Sequence, residues 1–323
     1  MEDCFLGIDW GGTRIKLGVV STEGSLIAQE MISMPNTTSV EDIYSAVVKR
    51  LRILVERSYK PRGIGLALTG VIDPDRGVVY LPGKIKDLEG FPIVQRLRKE
   101  FGVVAWAEND GRAAMYAEKH AGLARGRLWA VTLTIGTGVG SGVMLDGKIP
   151  NDPHFQFGVQ AGHLVIDISN DQLCLTGARG TGEMLCSATA LVLATRSGLQ
   201  RGIPSLLTER YWTNPHTVDF QAIVEDGIAH SDRLCLDELR RWTARLGWLL
   251  VSVIHAYSPE IVILAGGAMA ASRYFIDDLR SHVAAHIFRF PPGDPVPILV
   301  SELGDYVGVI GAALMVRERL ASH

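Results

Sequence analysis

Over the first thirty positions the apolar residues come in short, strand-length runs. Cys4–Asp9 is continuous enough to predict a buried strand, Trp10-Gly11-Gly12-Thr13 a turn, and Arg14–Val20 alternates apolar and polar as a half-buried strand does. Two strands joined by a Gly-Gly turn predict a hairpin. A third strand is expected over Ser25–Ser33. The period then changes. Ile43, Val47, Leu51 and Leu54 share one face at helical spacing, and Ser39 with Asp42 reads as a capping box at the start of that helix. Gly63–Leu68 predicts a buried strand ending at Thr69-Gly70. Pro92–Phe101 predicts a helix and Val103–Ala107 another strand, after which Asn109 or Asp110 caps a helix running to about Gly122.

The second part opens as the first does. Leu128–Ile135 predicts a strand, Gly136–Gly142 a glycine-rich turn, and Val143–Leu145 a restarted strand. Strand, small-residue turn, strand at the head of each half is a faint internal duplication. Residues 146–190 read as a long irregular loop, which inside a compact domain is usually functional. Cys235–Tyr257 is amphipathic, Ile261–Ala265 is a buried strand before Gly266-Gly267, and a strand over Ile298–Ser301 and a helix over Val307–Leu320 complete the pattern. Alternating strands and helices, with a hairpin heading each half, argue for α/β lobes with mixed sheets rather than a wholly parallel Rossmann sheet.

Composition narrows the classes. The chain has 323 residues, of which 47% are apolar and 21% charged, so a large core can form. A net charge of −3 lacks the basic footprint of a nucleic-acid binder. The one basic stretch, Lys49–Arg62, interleaves with apolar residues and reads as the wet face of a helix and its exit turn. Cys4, Cys174, Cys186 and Cys235 are scattered, as reduced thiols are. No apolar run reaches membrane-spanning length, so a soluble, cytoplasmic protein without membrane partners is expected.

Glycine-rich turns suit phosphate because bare backbone N–H groups can approach it. The Walker pattern Gly-x-x-x-x-Gly-Lys-Ser/Thr is absent. Glycines at 136, 138, 140 and 142 mimic a dinucleotide fingerprint, but a strand and turn follow where that fold needs a helix. In the first turn Asp9 can hold Mg²⁺ through water. Thr13 offers a hydroxyl to a phosphate and Lys16 a charge.

These residues resemble the sugar-kinase/actin/heat-shock ATPase superfamily and, within it, the ROK family of repressors, ORFs and kinases. Asp9-Trp10-Gly11-Gly12-Thr13 resembles its first phosphate motif, and Thr137 to Gly142 its second. Gly65 to Gly70, with Asp73, Pro74 and Gly77, is similar to its Gly-x-x-x-Pro-Gly segment, with Thr69 in place of proline. Glu108-Asn109-Asp110 with Ala113 and Ala114 resembles the Asn-Asp motif, Leu264 to Gly267 the adenosine-side Gly-Gly, and Gly304-Asp305 with Gly311 to Ala313 the closing segment. The resemblance implies a two-lobed, actin-like and ribonuclease-H-like duplicated α/β fold with a central cleft. It places residues 1-108 plus about 305-323 in a small lobe and 109-304 in a large one. It implies an ATP- and Mg²⁺-dependent sugar kinase and a homodimer. Asp110 would be the general base, with Gly70, Asn109, Gln160, His163 and Glu183 around the sugar. Asp9, Gly11, Gly12, Thr13, Lys16, Gly136, Thr137, Gly138, Gly266 and Gly267 would serve the nucleotide.

Two departures stand out. The family's zinc segment is Glu-x-Gly-His followed by Cys-x-Cys-Gly-x-x-Gly-Cys-x-Glu. Here Gln160-Ala161-Gly162-His163 precedes Cys174, and Thr176 and Thr181 stand at two cysteine positions, while Gly177, Gly180 and Glu183 are kept. Tetrahedral zinc wants four S or N ligands, so no structural zinc is expected from the remnants His163 and Cys174. Gln160 replaces a carboxylate with an amide that also donates, which predicts an altered acceptor: an amino sugar, an unusual hexose or a cyclitol. Alternatives from other classes are a non-catalytic sugar-sensing ROK protein and a repressor, for whose helix-turn-helix the eight residues before Asp9 leave no room. A polyphosphate-dependent glucokinase is a third alternative, and the acidic net charge speaks mildly against it.

Overall fold

The computed structural model describes the chain except for residues 12–13, 34–37, 57, 82–86, 289–292 and 323. β1 (Glu2–Trp10) and β2 (Arg14–Ser21) form the expected antiparallel hairpin, with Asp9 opposite Lys16 and Trp10 opposite Ile15. β3 (Leu26–Ser33) continues it antiparallel to β2. α1 (Val40–Val55) starts where the capping box predicts. The Asp42 N–H donates to the Ser39 hydroxyl oxygen at 3.1 Å, and that hydroxyl donates to the Asp42 carboxylate at 2.6 Å. Its predicted face buries Val47 and Leu51.

β4 (Tyr59–Leu68) then runs parallel to β1. A small antiparallel hairpin follows, β5 (Val71–Asp73) with β6 (Val78–Leu81), which the periodicity does not announce. The Asp73 carboxylate makes its turn, accepting from the N–H groups of Asp75 and Arg76 at 3.0 and 2.9 Å. α2 (Ile93–Phe101) ends on Gly102 in the left-handed region and returns the chain to β7 (Val104–Asn109), parallel to β4. The five-stranded sheet has the order β3-β2-β1-β4-β7. Leu6, Ile8, Leu17, Leu51, Ile64 and Leu97 fill its core.

α3 (Asp110–Ala121) leaves β7 directly. β8 (Ala130–Ile135) and β9 (Val139–Met144) belong to a second, four-stranded sheet, whose order is β11-β10-β8-β9. The helices between are α4 (Gly182–Cys186), α5 (Ala188–Gln200), α6 (Thr208–Thr213), α7 (Phe220–Ala222) and α8 (Arg233–Tyr257). α8 is capped by Asp232 and ends on a left-handed Ser258. Its Trp242 is buried, donates its indole N–H to the Ser187 carbonyl at 3.0 Å, and meets Phe275 edge-on. β10 (Ile261–Ala265), α9 (Ile276–His286) and β11 (Ile298–Val300), parallel to β10, follow, and α10 (Val307–Ala321) ends the order.

α10 lies backbone-close on β1 and β4. A Cβ on Gly65 would stand 1.9 Å from the Ala312 carbonyl oxygen, and one on Gly311 would stand 1.7 Å from that of Ala113 on α3. Two compact units result: residues 1–132, 141–159 and 301–323, and residues 133–140 and 160–300. Among the described residues no helix is long and apolar enough to cross a membrane.

Two sequence readings change. The glycine-rich turn closes at Gly136–Gly138, and Val139 to Gly142 already belong to β9. Gly142 is small for packing: its Cβ would lie 2.3 Å from the Gly111 carbonyl oxygen at the start of α3. Residues 146–190 are not wholly irregular either, because a short 3-10 turn at Ala161–His163, all of α4 and the start of α5 fall inside them.

Candidate functional site

In the first unit the candidate residues gather at the C-terminal ends of three adjacent parallel strands. Register places Asp9 beside Ala67 and Ala67 beside Glu108. Asp9 and Glu108 are therefore two strands apart, about 10 Å. The residues just beyond are Trp10, Thr69-Gly70 and Asn109-Asp110. Open α/β sheets bind ligands at such strand ends.

Asp9 is crowded on one side by α10. A Cβ on Gly308 would come within 2.7 Å of its carboxyl, so only glycine lets the helix start there. Burial pushes the Asp9 carboxyl up to about 6, with Lys16 across the hairpin pulling the other way. Lys16 Nζ donates to the Asp305 carbonyl at 2.5 Å and sits 5.8 Å from the Tyr306 ring centre. The Gly11 N–H donates to the Arg14 carbonyl at 3.1 Å, tightening the turn. Gly12 and Thr13 lie outside the described residues.

The cap of α3 is Asn109. Its Oδ1 accepts from the N–H groups of Gly111 and Arg112 at 2.8 and 3.4 Å, and its Nδ2 donates to the Gly70 carbonyl at 3.0 Å. Gly70 takes φ 116°, a conformation that favours glycine. Asp110 is the first helical residue, and its Oδ1 accepts from the Gly111 N–H at 2.9 Å. Capping therefore falls to Asn109, and the amide keeps one N–H for a ligand.

The second unit carries the other candidates. Gly136–Gly138 closes on itself, its N–H donating to the Gly138 carbonyl at 3.0 Å. The Ala188 N–H donates to the Gly136 carbonyl at 2.9 Å, and the Thr189 hydroxyl to that of Thr137 at 2.8 Å. Thr137 itself is exposed. Gly266, at φ 94°, rests against Ile135, while Gly267 faces open space, so β8 brings the two glycine turns together. The Glu183 carboxylate accepts from the Val139 N–H at 3.1 Å and fills the place a Gly138 Cβ would take. That gives Glu183 a structural duty at the turn.

Gln160 caps the 3-10 turn that His163 ends, the His163 N–H donating to the Gln160 carbonyl at 2.9 Å. The Cys174 Sγ lies 2.9 Å from Thr176 Oγ1. Burial would raise that thiol, but hydrogen bonds from Thr176 and His163 bring it down to about 7. His163 Nδ1 and Thr181 Oγ1 are buried without a partner among the described residues. One thiol, one imidazole and two hydroxyls do not make the S/N set that tetrahedral zinc takes. Backbone bonds hold this segment instead: the Gly180 carbonyl accepts from the N–H groups of Ile166 and Asp167 at 2.9 and 3.2 Å, and the Cys174 N–H donates to the Ala178 carbonyl at 2.9 Å.

Sequence reasoning missed Gly308 and Arg112. Gly308 was legible in principle, since Gly304, Gly308, Gly311 and Ala312 recur at helical spacing. Arg112 lies in an alanine-rich helix and is only 1% exposed.

The ROK family model matches residues 5–319. A glucokinase of Thermotoga maritima is 29% identical over 98% of this chain and 98% of its own. A xylose repressor of Bacillus spizizenii is 25% identical, covering 97% of this chain and 77% of its own length. A ROK family glucokinase from Streptomyces griseus, solved with glucose and AMPPNP, superposes with TM-score 0.84 at 23% identity, covering 98% of this chain and 99% of its own. That likeness gives the actin-like duplicated α/β fold, and with the near full-length family match it follows that this chain belongs to the ROK family.

Proposed function

We propose that the protein is an ATP-dependent sugar kinase, with Asp110 as general base. The observation that carries this reading is the strand-end arrangement. Asp9 and Asn109-Asp110 stand at the ends of parallel strands two apart, with Asn109 as the cap of α3 and Asp110 as its first residue. The sugar hydroxyl oxygen attacks the γ-phosphorus of ATP, its proton passes to the Asp110 carboxylate, and the bond to the ADP oxygen breaks. Positioning and charge stabilisation supply most of the catalysis in such transfers. Asp9 fits a Mg²⁺ held through water, which would neutralise charge on the phosphates. Gly11 to Thr13, Lys16 and the turns at Gly136–Gly138 and Gly266-Gly267 are assigned to the nucleotide. Gly70, Asn109, Gln160, His163 and Glu183 are assigned to the sugar.

Gln160 supports an acceptor that is not plain glucose, with an amino sugar or N-acetyl amino sugar as the leading class. A homodimer in the cytoplasm belongs to the same reading. The test is ADP release measured with ATP, GTP and polyphosphate against a panel of hexoses, amino sugars, N-acetyl amino sugars and inositols. Turnover with ATP and at least one sugar is expected. Sugar binding without turnover on any donor would mark a sensor instead, and turnover with polyphosphate alone would replace the donor.

A further inference from the structure

Arg112 is a buried cation that the kinase reading leaves without a task. Its guanidinium, on the first turn of α3, reaches three groups of the same unit. Nη1 lies 3.4 Å from the Glu108 carboxylate, and Nη2 donates to the Phe157 carbonyl at 3.0 Å and lies 3.6 Å from Asp152 Oδ1. Glu108, at the end of β7, is 2% exposed, and its Oε1 also accepts from the Asn109 N–H at 2.8 Å. The pair thus brackets Asn109 and Asp110 in sequence, one member on the strand before them and one on the helix after.

The far end of Arg112 grips an ordered loop. The Asp152 carboxylate folds it by accepting from the N–H groups of His154, Gln156 and Phe157 at 3.0, 2.7 and 2.7 Å. Phe155 takes φ 58°, an uncommon conformation for a bulky residue, and its ring stacks on Tyr80. The Ser141 hydroxyl donates to the Gly158 carbonyl at 2.8 Å, a second anchor. Burying two charges is costly unless close geometry and further hydrogen bonds repay the desolvation, and an apolar pair of similar volume often stabilises as well. Arg112 Nε has no partner among the described residues, a further sign that packing alone does not explain the residue.

We propose that Glu108 and Arg112 are positioning residues: the pair fixes the Asn109-Asp110 dipeptide and locks the 152–158 loop to it, so that the base and this loop move as one. This rests on the kinase reading for its consequence, but the locking itself does not. In Arg112→Met a carboxylate is stranded and folding can suffer. The double variant Glu108→Gln/Arg112→Met removes both charges and is the informative one.

Hydrogen exchange of peptides spanning 108–116 and 152–159 reads the locking directly. ADP release reads its effect, as the split between kcat and sugar KM. The double variant is expected to exchange at least tenfold faster in both peptides. It should lose about 10²-fold in kcat, the scale of a 1 Å misplacement, with the ATP KM unchanged. Arg112→Lys should recover only part, because an ammonium cannot span two acceptors as a guanidinium fork does. Unchanged exchange in the double variant overturns the proposal. So does wild-type kcat beside accelerated exchange. A wild-type protein inactive on every acceptor would defeat the kinase reading instead, while exchange would still decide the locking.

Discussion

Asp9→Asn should make the protein more stable and less active. The folded environment pushes the Asp9 carboxyl from 3.8 up to about 6, chiefly through burial. Above pH 6 the folded state must carry a charge it disfavours, whereas the unfolded chain ionises freely. The group therefore destabilises the fold fully above about pH 6, progressively less as pH falls from there toward 3.8, and not at all below both values. A shift of about two units corresponds to about 3 kcal/mol at neutral pH, and residual solvent contact at Asp9 makes that a ceiling. Asparagine keeps the shape and removes the titration. Lys16 keeps its bond to the Asp305 carbonyl. Urea unfolding without nucleotide or Mg²⁺, run from pH 4 to 8, should show the variant ahead by about 1–3 kcal/mol at pH 7.5 and level by pH 4. Adding Mg²⁺ with ATP should stabilise the wild type far more than the variant. Equal stability at pH 7.5, or a gain that persists undiminished at pH 4, would refute the reasoning.

Other outcomes follow from single contacts. Gly308→Ala drives a Cβ to 2.7 Å from the Asp9 carboxyl, so it should cost about 1–3 kcal/mol by thermal unfolding and depress turnover as well. Asn109→Ala removes the α3 cap and the tie to Gly70, costing about 0.5–2 kcal/mol in a urea titration, with a larger fractional loss in kcat than in stability. Gln160→Glu should reorder kcat/KM across the sugar panel toward plain hexoses, and an unchanged order would remove Gln160 from the list of specificity residues. If Asp9 holds Mg²⁺ in its ionised form, kcat/KM for Mg-ATP should fall as pH drops through about 6, the position of the free protein's carboxyl, and an acid limb absent from that profile would contradict the role proposed for Asp9.

Much of the fold is written in local pattern. The β1–β2 hairpin, the capped α1 face and the buried run Ile261–Ala265 are set by period and turn chemistry, and they appear where those place them. The β5–β6 hairpin was not legible because its strands are three and four residues long, too short for any period. The glycine-rich segment 136–142 misled for a different reason: glycine looks the same in sequence whether it exposes backbone to a ligand or lets a helix pack. Gly136 has open space beside it while Gly142 packs on the start of α3, and only the presence of α3 separates them. Asn109-Asp110 could be marked as a site, but not which of the two caps the helix. That choice depends on the Gly70 carbonyl, 39 residues away in sequence. Arg112 escaped notice because two of its three partners, Asp152 and Phe157, come from a distant loop.

The role proposed for Asp110 is to accept the proton of a sugar hydroxyl. The most direct measurement is kcat for ADP release on the best acceptor, compared between wild type and Asp110→Asn at matched thermal stability. A loss of about 10²–10⁴-fold in kcat is expected, the range for a general base, with sugar and ATP binding retained. Turnover within a few fold of wild type in a folded Asp110→Asn protein would contradict it.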